Sequence, residues 1–427
     1  MSENRLQITR EKVITNLDYV CAFLLALCPI LQHYVGPLYN MAISSLAAIA
    51  VYLIVRMRKD LLSISYPKIK FVLVMIIYQL YRIVNHGTSV TEIGQSMVFI
   101  VFMLAVAFGK INLKLVVEIS RIVAIIASAG LILQYISFYI FKTHIQMVPT
   151  SLLIPSADQW ILGAQTGLAG ITGKLSNFYR PSAFFLEPSH VYLFFFPHII
   201  LLLFDGKLNK KRFFSALFIS VALALTTSGM GIAAVFGIWV LFIAIRDEKD
   251  GSFNLNNLFR RRNLVIIGVL VVIFVIAVFN VPFLKRAVLR IFVPGKSGST
   301  AITGRIKKAL SLILDMSPMQ WLLGAEDVKQ QISFNVPGIF DVIYRHGFVG
   351  FVLSYELYVK CIFKLSFAYK FIGIVVLITS LFSAHTHSTV GMLNFLLILM
   401  SGFECVDPPQ PGVCHYDMLS SEKEASV

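Results

Sequence analysis

The sequence predicts an all-α protein: a polytopic transmembrane helical bundle of about twelve spans, with two long loops on one side carrying short amphipathic helices. Three observations predict it. The chain of 427 residues is 57% hydrophobic and only 14% charged, with a mean hydropathy of +0.79. Its apolar residues fall in a row of segments, each near the ~20 residues that cross a bilayer. Its lysines and arginines collect in alternate junctions, which fixes the orientation by the positive-inside rule.

In chain order, spans are expected near 17–35, 38–56, 69–85, 93–109, 115–141, 188–205, 213–228, 229–245, 264–283, 338–358, 369–384 and 389–402. MSENRLQITREK enters the first without a small-residue cleavage site, so that span reads as uncleaved. With the N-terminus inside, the cytoplasmic junctions are RMRKD (56–60), KINLK (110–114), DGKLNKKR (205–212), RDEKDGSFNLNNLFRRR (246–262) and VKCIFK (359–364). Each carries Lys or Arg. Residues 1–402 form one membrane domain, and the polar stretch 403–427 reads as a mobile cytoplasmic tail.

Two long segments then face outward, about 142–187 and 281–338. Long loops on a compact bundle are where function concentrates. The formal net charge is +15, from 37 Lys plus Arg against 22 Asp plus Glu. Much of it serves orientation, and with no soluble basic domain a nucleic-acid partner is not expected. The second loop is basic against the rule, with Lys285, Arg286, Arg290, Lys296, Arg305, Lys307, Lys308 and Lys329, followed by Arg345. Apolar residues at Ile306, Ala309, Leu310, Ile313 and Leu314 predict an amphipathic helix over 302–316, with Arg305 and Lys308 one turn apart on another face. Such a loop either grips anionic lipid headgroups or lines a pocket for a phosphorylated substrate.

The candidate chemistry lies at the outer ends of the spans. In RPSAFFLEPSH (180–190), Pro188 suits the first position of a helix, which puts Glu187 at its N-cap. Glu187 either neutralises the helix dipole and pairs with Arg180 or serves as a general base; both can hold. Thr226, Thr227, Ser228 and Gly229 separate two apolar spans. They make either a close helix contact through small residues or an anion seat at a helix N-terminus. Asp341, Tyr344, Arg345 and His346 stand where the second loop re-enters the membrane, the depth at which ionisable groups face a cavity. His385 and His387, spaced i and i+2, do not share a helix face, and a zinc site is not expected there.

Cys21, Cys28, Cys361, Cys405 and Cys414 form no CxxC pair and read as apolar fillers and reduced tail thiols. Walker A, HExxH and GxSxG patterns are missing from the sequence, which argues against ATPase, zinc protease and serine hydrolase chemistry. Phosphate chemistry would fall to arginines, whose guanidinium grips phosphate bidentately. No cofactor and no metal is called for.

Four stretches in order, YRPSAFFLEPSH (179–190), LALTTSGMGI (223–232), TGRIKKALSLILDMSPMQWLLGAED (303–327) and FDVIYRHGFVGFVLS (340–354), resemble the bacterial O-antigen polymerase and ligase superfamily, most of all the Wzy-type surface-polysaccharide polymerases. That resemblance implies a metal-independent glycosyltransferase of the GT-C type in the bacterial inner membrane, its site facing the periplasm and both termini cytoplasmic. Its substrates would be undecaprenyl-pyrophosphate-linked repeat units, polymerised into O-antigen, capsule or exopolysaccharide, with membrane lipids around it and a chain-length regulator as an open partner. By motif position the pyrophosphate would fall to Arg180 and Arg305, with Arg345 third, and Glu187 would activate the acceptor hydroxyl. Around them stand Tyr179, Ser228, Lys308, Tyr344 and Asn335 as binding residues and His346 as a further catalytic candidate.

The sibling ligases, which pass finished glycan to lipid A core, carry a histidine directly before an asparagine at the end of the second loop. Here Phe334 precedes Asn335, and only His346 could stand in. A lipid-linked oligosaccharide transporter is the rival from another class. It would show pseudo-symmetric halves and midplane charges, whereas this chain has no repeat and gathers its charges at one interface.

Overall fold

In a computed structural model of the chain, the described residues are 16–58, 110–147, 179–185, 187–245, 255–281, 301–325 and 336–383, with scattered positions within 73–108, 152–175, 284–288 and 393–398. The spans expected at 69–85, 93–109 and 389–402 lie wholly or mostly outside them, as do the tail 403–427, Asn335, His385 and His387. Arg305 is described in its backbone only.

The described chain is helical almost throughout. The helices are α1 Asn16–Leu31, α2 Met41–Met57, α3 Leu113–Tyr139, α4 Pro188–Phe204, α5 Lys210–Leu225, α6 Gly229–Ile245, α7 Arg261–Asn280, α8 Ala301–Leu314, α9 Pro318–Leu323, α10 Gly338–Lys364 and α11 Phe367–Ser380. The all-α expectation holds, with two small antiparallel ribbons beside the helices: β1 Val35–Gly36 with β2 Tyr39–Asn40, and β3 Leu168–Ala169 with β4 Lys174–Leu175. The first ribbon ends α1 at Leu31, short of the expected 35, because Gly36 pairs with Tyr39 and folds the chain straight back. Asn40 then caps α2 by accepting the Ile43 N–H at 2.7 Å.

Among the described residues two helices, α3 and α7, are long and apolar enough to cross a membrane. Five more apolar helices, α1, α2, α4, α6 and α11, are shorter; the 17 residues of α4 span about 26 Å. On α7 the side chains of Val265, Val272, Ile273, Ile276 and Phe279 are exposed together. A stripe that apolar suits hydrocarbon better than water.

At the centre stands α4, buried on all sides from His190 to Phe204 and packed on α3, α5, α6 and α11. Its sequence, PSHVYLFFFPHIILLLF, is apolar all round, the pattern of a fully enclosed helix. Polar ties fasten its neighbours. Tyr192 shares a 2.8 Å hydrogen bond with Thr379 of α11. The Trp239 indole donates to Ser220 at 2.9 Å between α6 and α5. Arg212 donates to the Leu201 carbonyl at 2.6 Å and to the Leu202 carbonyl at 3.2 Å, closing the last turn of α4. Arg56 on α2 pairs with Asp18 on α1.

Pro197 sits inside α4 and lacks the N–H that would bond the Leu193 carbonyl. Asn394 supplies the missing donor, its amide reaching the Leu193 oxygen at 2.8 Å from 201 residues away in sequence. Asn394→Leu should therefore lower stability by about 1–3 kcal/mol, the penalty for an orphaned buried carbonyl. Thermal unfolding of the purified chain in detergent checks it, and an unchanged midpoint would discard the bridge.

Candidate functional site

Several of the sequence-predicted site residues that the structure describes lie toward one end of the bundle. Glu187 begins α4, and the α4–α5–α6 hairpins, joined by short turns, return residues 226–228 to that same end. The Tyr192–Thr379 bond sets the last turn of α11 beside the first turns of α4. The Gly338 N–H donates to the Ser383 carbonyl at 2.8 Å, so α10 starts there too.

Pro188 is at the first helical position and Glu187 is the N-cap in extended conformation, as the sequence predicts. The Glu187 carboxylate does not cap α4; it accepts the Ser189 hydroxyl at 2.7 Å instead. The carboxylate is thereby kept partly exposed at the positive end of a helix. One residue on, the buried His190 ring stacks on His33 from the end of α1, with centroids 5.2 Å apart and planes 23° from parallel. The sequence reading missed His33, because nothing local links positions 33 and 190.

Arg180 belongs to a loop held from α3. Gln134 receives the Ala183 N–H at 2.9 Å and the Ser182 N–H at 3.3 Å on its amide oxygen, and donates to the Ile145 carbonyl at 3.1 Å. Ala183 has φ of 49°, a left-handed conformation that a residue with a Cβ adopts at a cost of ~1 kcal/mol. Tyr179 is only 2% exposed, its ring against Phe138 and His144 and its backbone bonded to the Tyr139 hydroxyl on both sides. Burial, with the Tyr139 phenol beside it, raises its own phenol far above the ordinary value. Tyr179 thus anchors the loop by packing, and its hydroxyl is not a proton donor to be ionised near neutral pH. A single glutamine in the apolar run of α3 was the available signal for this anchor, since a buried amide needs a partner.

In the α5–α6 turn, Thr226, Thr227 and Ser228 are all buried. Thr226 turns its hydroxyl back to the Leu223 carbonyl at 2.7 Å. Ser228 opens α6, its carbonyl taking the Ile232 N–H at 2.9 Å and its hydroxyl the Gly231 N–H at 3.4 Å. Thr227 has φ of 54° and a buried hydroxyl that finds no hydrogen-bond partner among the described residues. A β-branched residue in that conformation stores about 1–3 kcal/mol.

Helix α8 covers 301–314, close to the expected 302–316. Among its described side chains Ala309 and Ile313 are buried, and the helix packs on α10. Leu310 and Leu314, expected on the same face, are 45% and 69% exposed, and Lys307 and Lys308 are exposed with them. The Ser317 capping box then starts α9.

α10 is not one straight helix. Gly347 has φ of 65° and ψ of −175° and breaks it, so Tyr344, Arg345 and His346 form the end of a half-helix. Arg345 donates to Asp341 at 2.7 Å one turn earlier, which aims the guanidinium along the helix. The Tyr344 side chain is buried, and its carbonyl takes the Ala325 N–H at 2.8 Å, just after α9. Of the proposed set, Glu187, Ser228, Tyr344, Arg345 and His346 are thus brought to one end, with Arg180 on a loop tied there and Lys308 at the exposed edge of α8.

Such an end can do acid–base and anion chemistry: a carboxylate, a braced guanidinium and the N-termini of α4, α6 and α10 share it. Comparison with protein-family models and with curated proteins gives no match.

Proposed function

We propose that the chain is a bacterial inner-membrane glycosyltransferase of about twelve spans that polymerises undecaprenyl-pyrophosphate-linked repeat units into a surface polysaccharide at the periplasmic face. The observation that carries this reading is the convergence just described. Glu187, the 226–228 turn and the start of α10 come from separated stretches and lie toward one end of the bundle, and the basic helix α8 packs on α10. These are the four stretches whose order resembles the Wzy-type polymerases.

In this reading the arginines hold the donor pyrophosphate and neutralise the charge that develops as it leaves the anomeric carbon. A lipid pyrophosphate is a good leaving group, and guanidinium suffices to hold it. Glu187 takes the proton of the acceptor hydroxyl, with Ser189 orienting the carboxylate. The elements transferred are balanced: a glycosidic bond forms, the bond to pyrophosphate breaks, and the acceptor proton goes to the carboxylate.

Deleting the gene in its host and running the surface glycan on a gel tests the reading. A ladder collapsed to one attached repeat unit supports polymerase. Full-length glycan accumulating on its carrier lipid means ligase instead, and an unaltered ladder removes both. In the complemented deletion strain, Arg305→Lys should cut polymer at least about a hundredfold, because an ammonium cannot reproduce a bidentate grip. Normal polymer from that variant would strike Arg305 from the site.

A further inference from the structure

Two glycines far apart in sequence occupy backbone conformations that only glycine adopts, and each lies directly on the other's flank. Gly324, just after α9, has φ of 97° and ψ of 162°. Gly347, in the break of α10, has φ of 65° and ψ of −175°. Both lie in the region of positive φ and fully extended ψ that any Cβ forbids. A Cβ on Gly324 would also overlap the Arg345 carbonyl, and a Cβ on Gly347 would overlap the Leu322 carbonyl. The two bare Cα atoms let backbone pass backbone, and the Ala325 N–H to Tyr344 carbonyl bond of 2.8 Å fixes the register between them. Trp321 and Phe348 close the same junction with ring centroids 6.2 Å apart.

We propose that Gly324 and Gly347 are positioning residues that interlock the α8–α9 hairpin with the α10 break, and so set the position of Arg305 relative to Arg345. The inference rests on the polymerase reading and deepens it. It explains how the α8–α9 segment, in which Ala309 and Ile313 are the buried side chains among those described for α8, keeps its place against α10. The backbone contact at the glycines adds a fixed register to the side-chain packing of Ala309, Ile313 and Trp321. The break has a purpose in the same account: it ends the Arg345 half-helix where the returning chain from α9 can dock.

The test uses the full-length chain, purified in detergent, with farnesyl pyrophosphate as a short polyprenyl pyrophosphate probe. Gly347→Ala and Gly324→Ala should each weaken probe binding at least about tenfold per folded molecule. Arg305→Ala should weaken it similarly, and adding Gly347→Ala to Arg305→Ala should cost nothing more, because both changes remove one interaction. Gly268→Ala, where a Cβ would meet nothing within 4 Å, should bind as the unaltered chain does. Should either glycine variant fail to fold, Ala325→Pro removes the bridging donor outside the helices and should give the same loss. Folded glycine variants that bind the probe normally overturn the interlock, as does a double variant whose losses simply multiply. A wild-type chain that ignores the probe, with an unaltered glycan ladder in the deletion strain, overturns the polymerase reading itself and the interlock with it.

Discussion

Glu187→Gln should abolish chain growth while leaving the amount of folded protein unchanged. The two halves of that expectation come from different features of the same residue. Its side chain makes no N-cap bond to α4, and the helix start is held by Pro188 and by the His190 N–H donating to the Glu187 carbonyl at 3.0 Å. A glutamine oxygen can still accept the Ser189 hydroxyl, so stability should move by no more than a few tenths of a kcal/mol. What the amide cannot do is take a proton, and loss of a general base costs about 10²–10⁴ in rate. Immunoblotting and the glycan gel read the two quantities separately. A normal ladder removes the base role. Falling abundance with the ladder reduced in proportion assigns Glu187 to holding the loop.

Features governed by local rules were legible in the sequence. Proline after a glutamate placed the start of α4 to the residue, and apolar spacing found α8 within a residue or two. Its facing was less legible. Leu310 and Leu314 stand at apolar spacing yet are exposed, and among the described side chains of α8 Ala309 and Ile313 turn inward. Helix ends moved where a ribbon intervened, as at Leu31. The pairings that fix the candidate site join residues from about twenty to about two hundred positions apart: His33 with His190, Leu193 with Asn394, Gly324 with Arg345. No periodicity carries such information. Isolated polar residues in apolar runs, Gln134 and Asn394 among them, mark where a partner is needed without naming it.

Gln134→Leu should be among the most damaging single changes in the protein. Three bonds end at once: two backbone N–H groups, of Ser182 and Ala183, and the Ile145 carbonyl lose their partner. Each buried orphan costs about 1–3 kcal/mol, and leucine repays part of that by packing in the apolar bundle. A net loss of about 3–5 kcal/mol is expected, concentrated in the loop from Tyr179 to Ala183, since Ala183 at φ of 49° is held against its own preference by the amide. Gln134→Glu separates the contributions. A carboxylate still accepts from Ser182 and Ala183 but no longer donates to Ile145, so it should keep most of the stability. Arg180 rides on this loop. If it grips the donor, Gln134→Leu should abolish polymer even in cells grown cold enough to restore abundance, whereas Gln134→Glu should retain it. Equal polymer from both variants at equal abundance would show that the loop's position is immaterial, and Arg180 would leave the site.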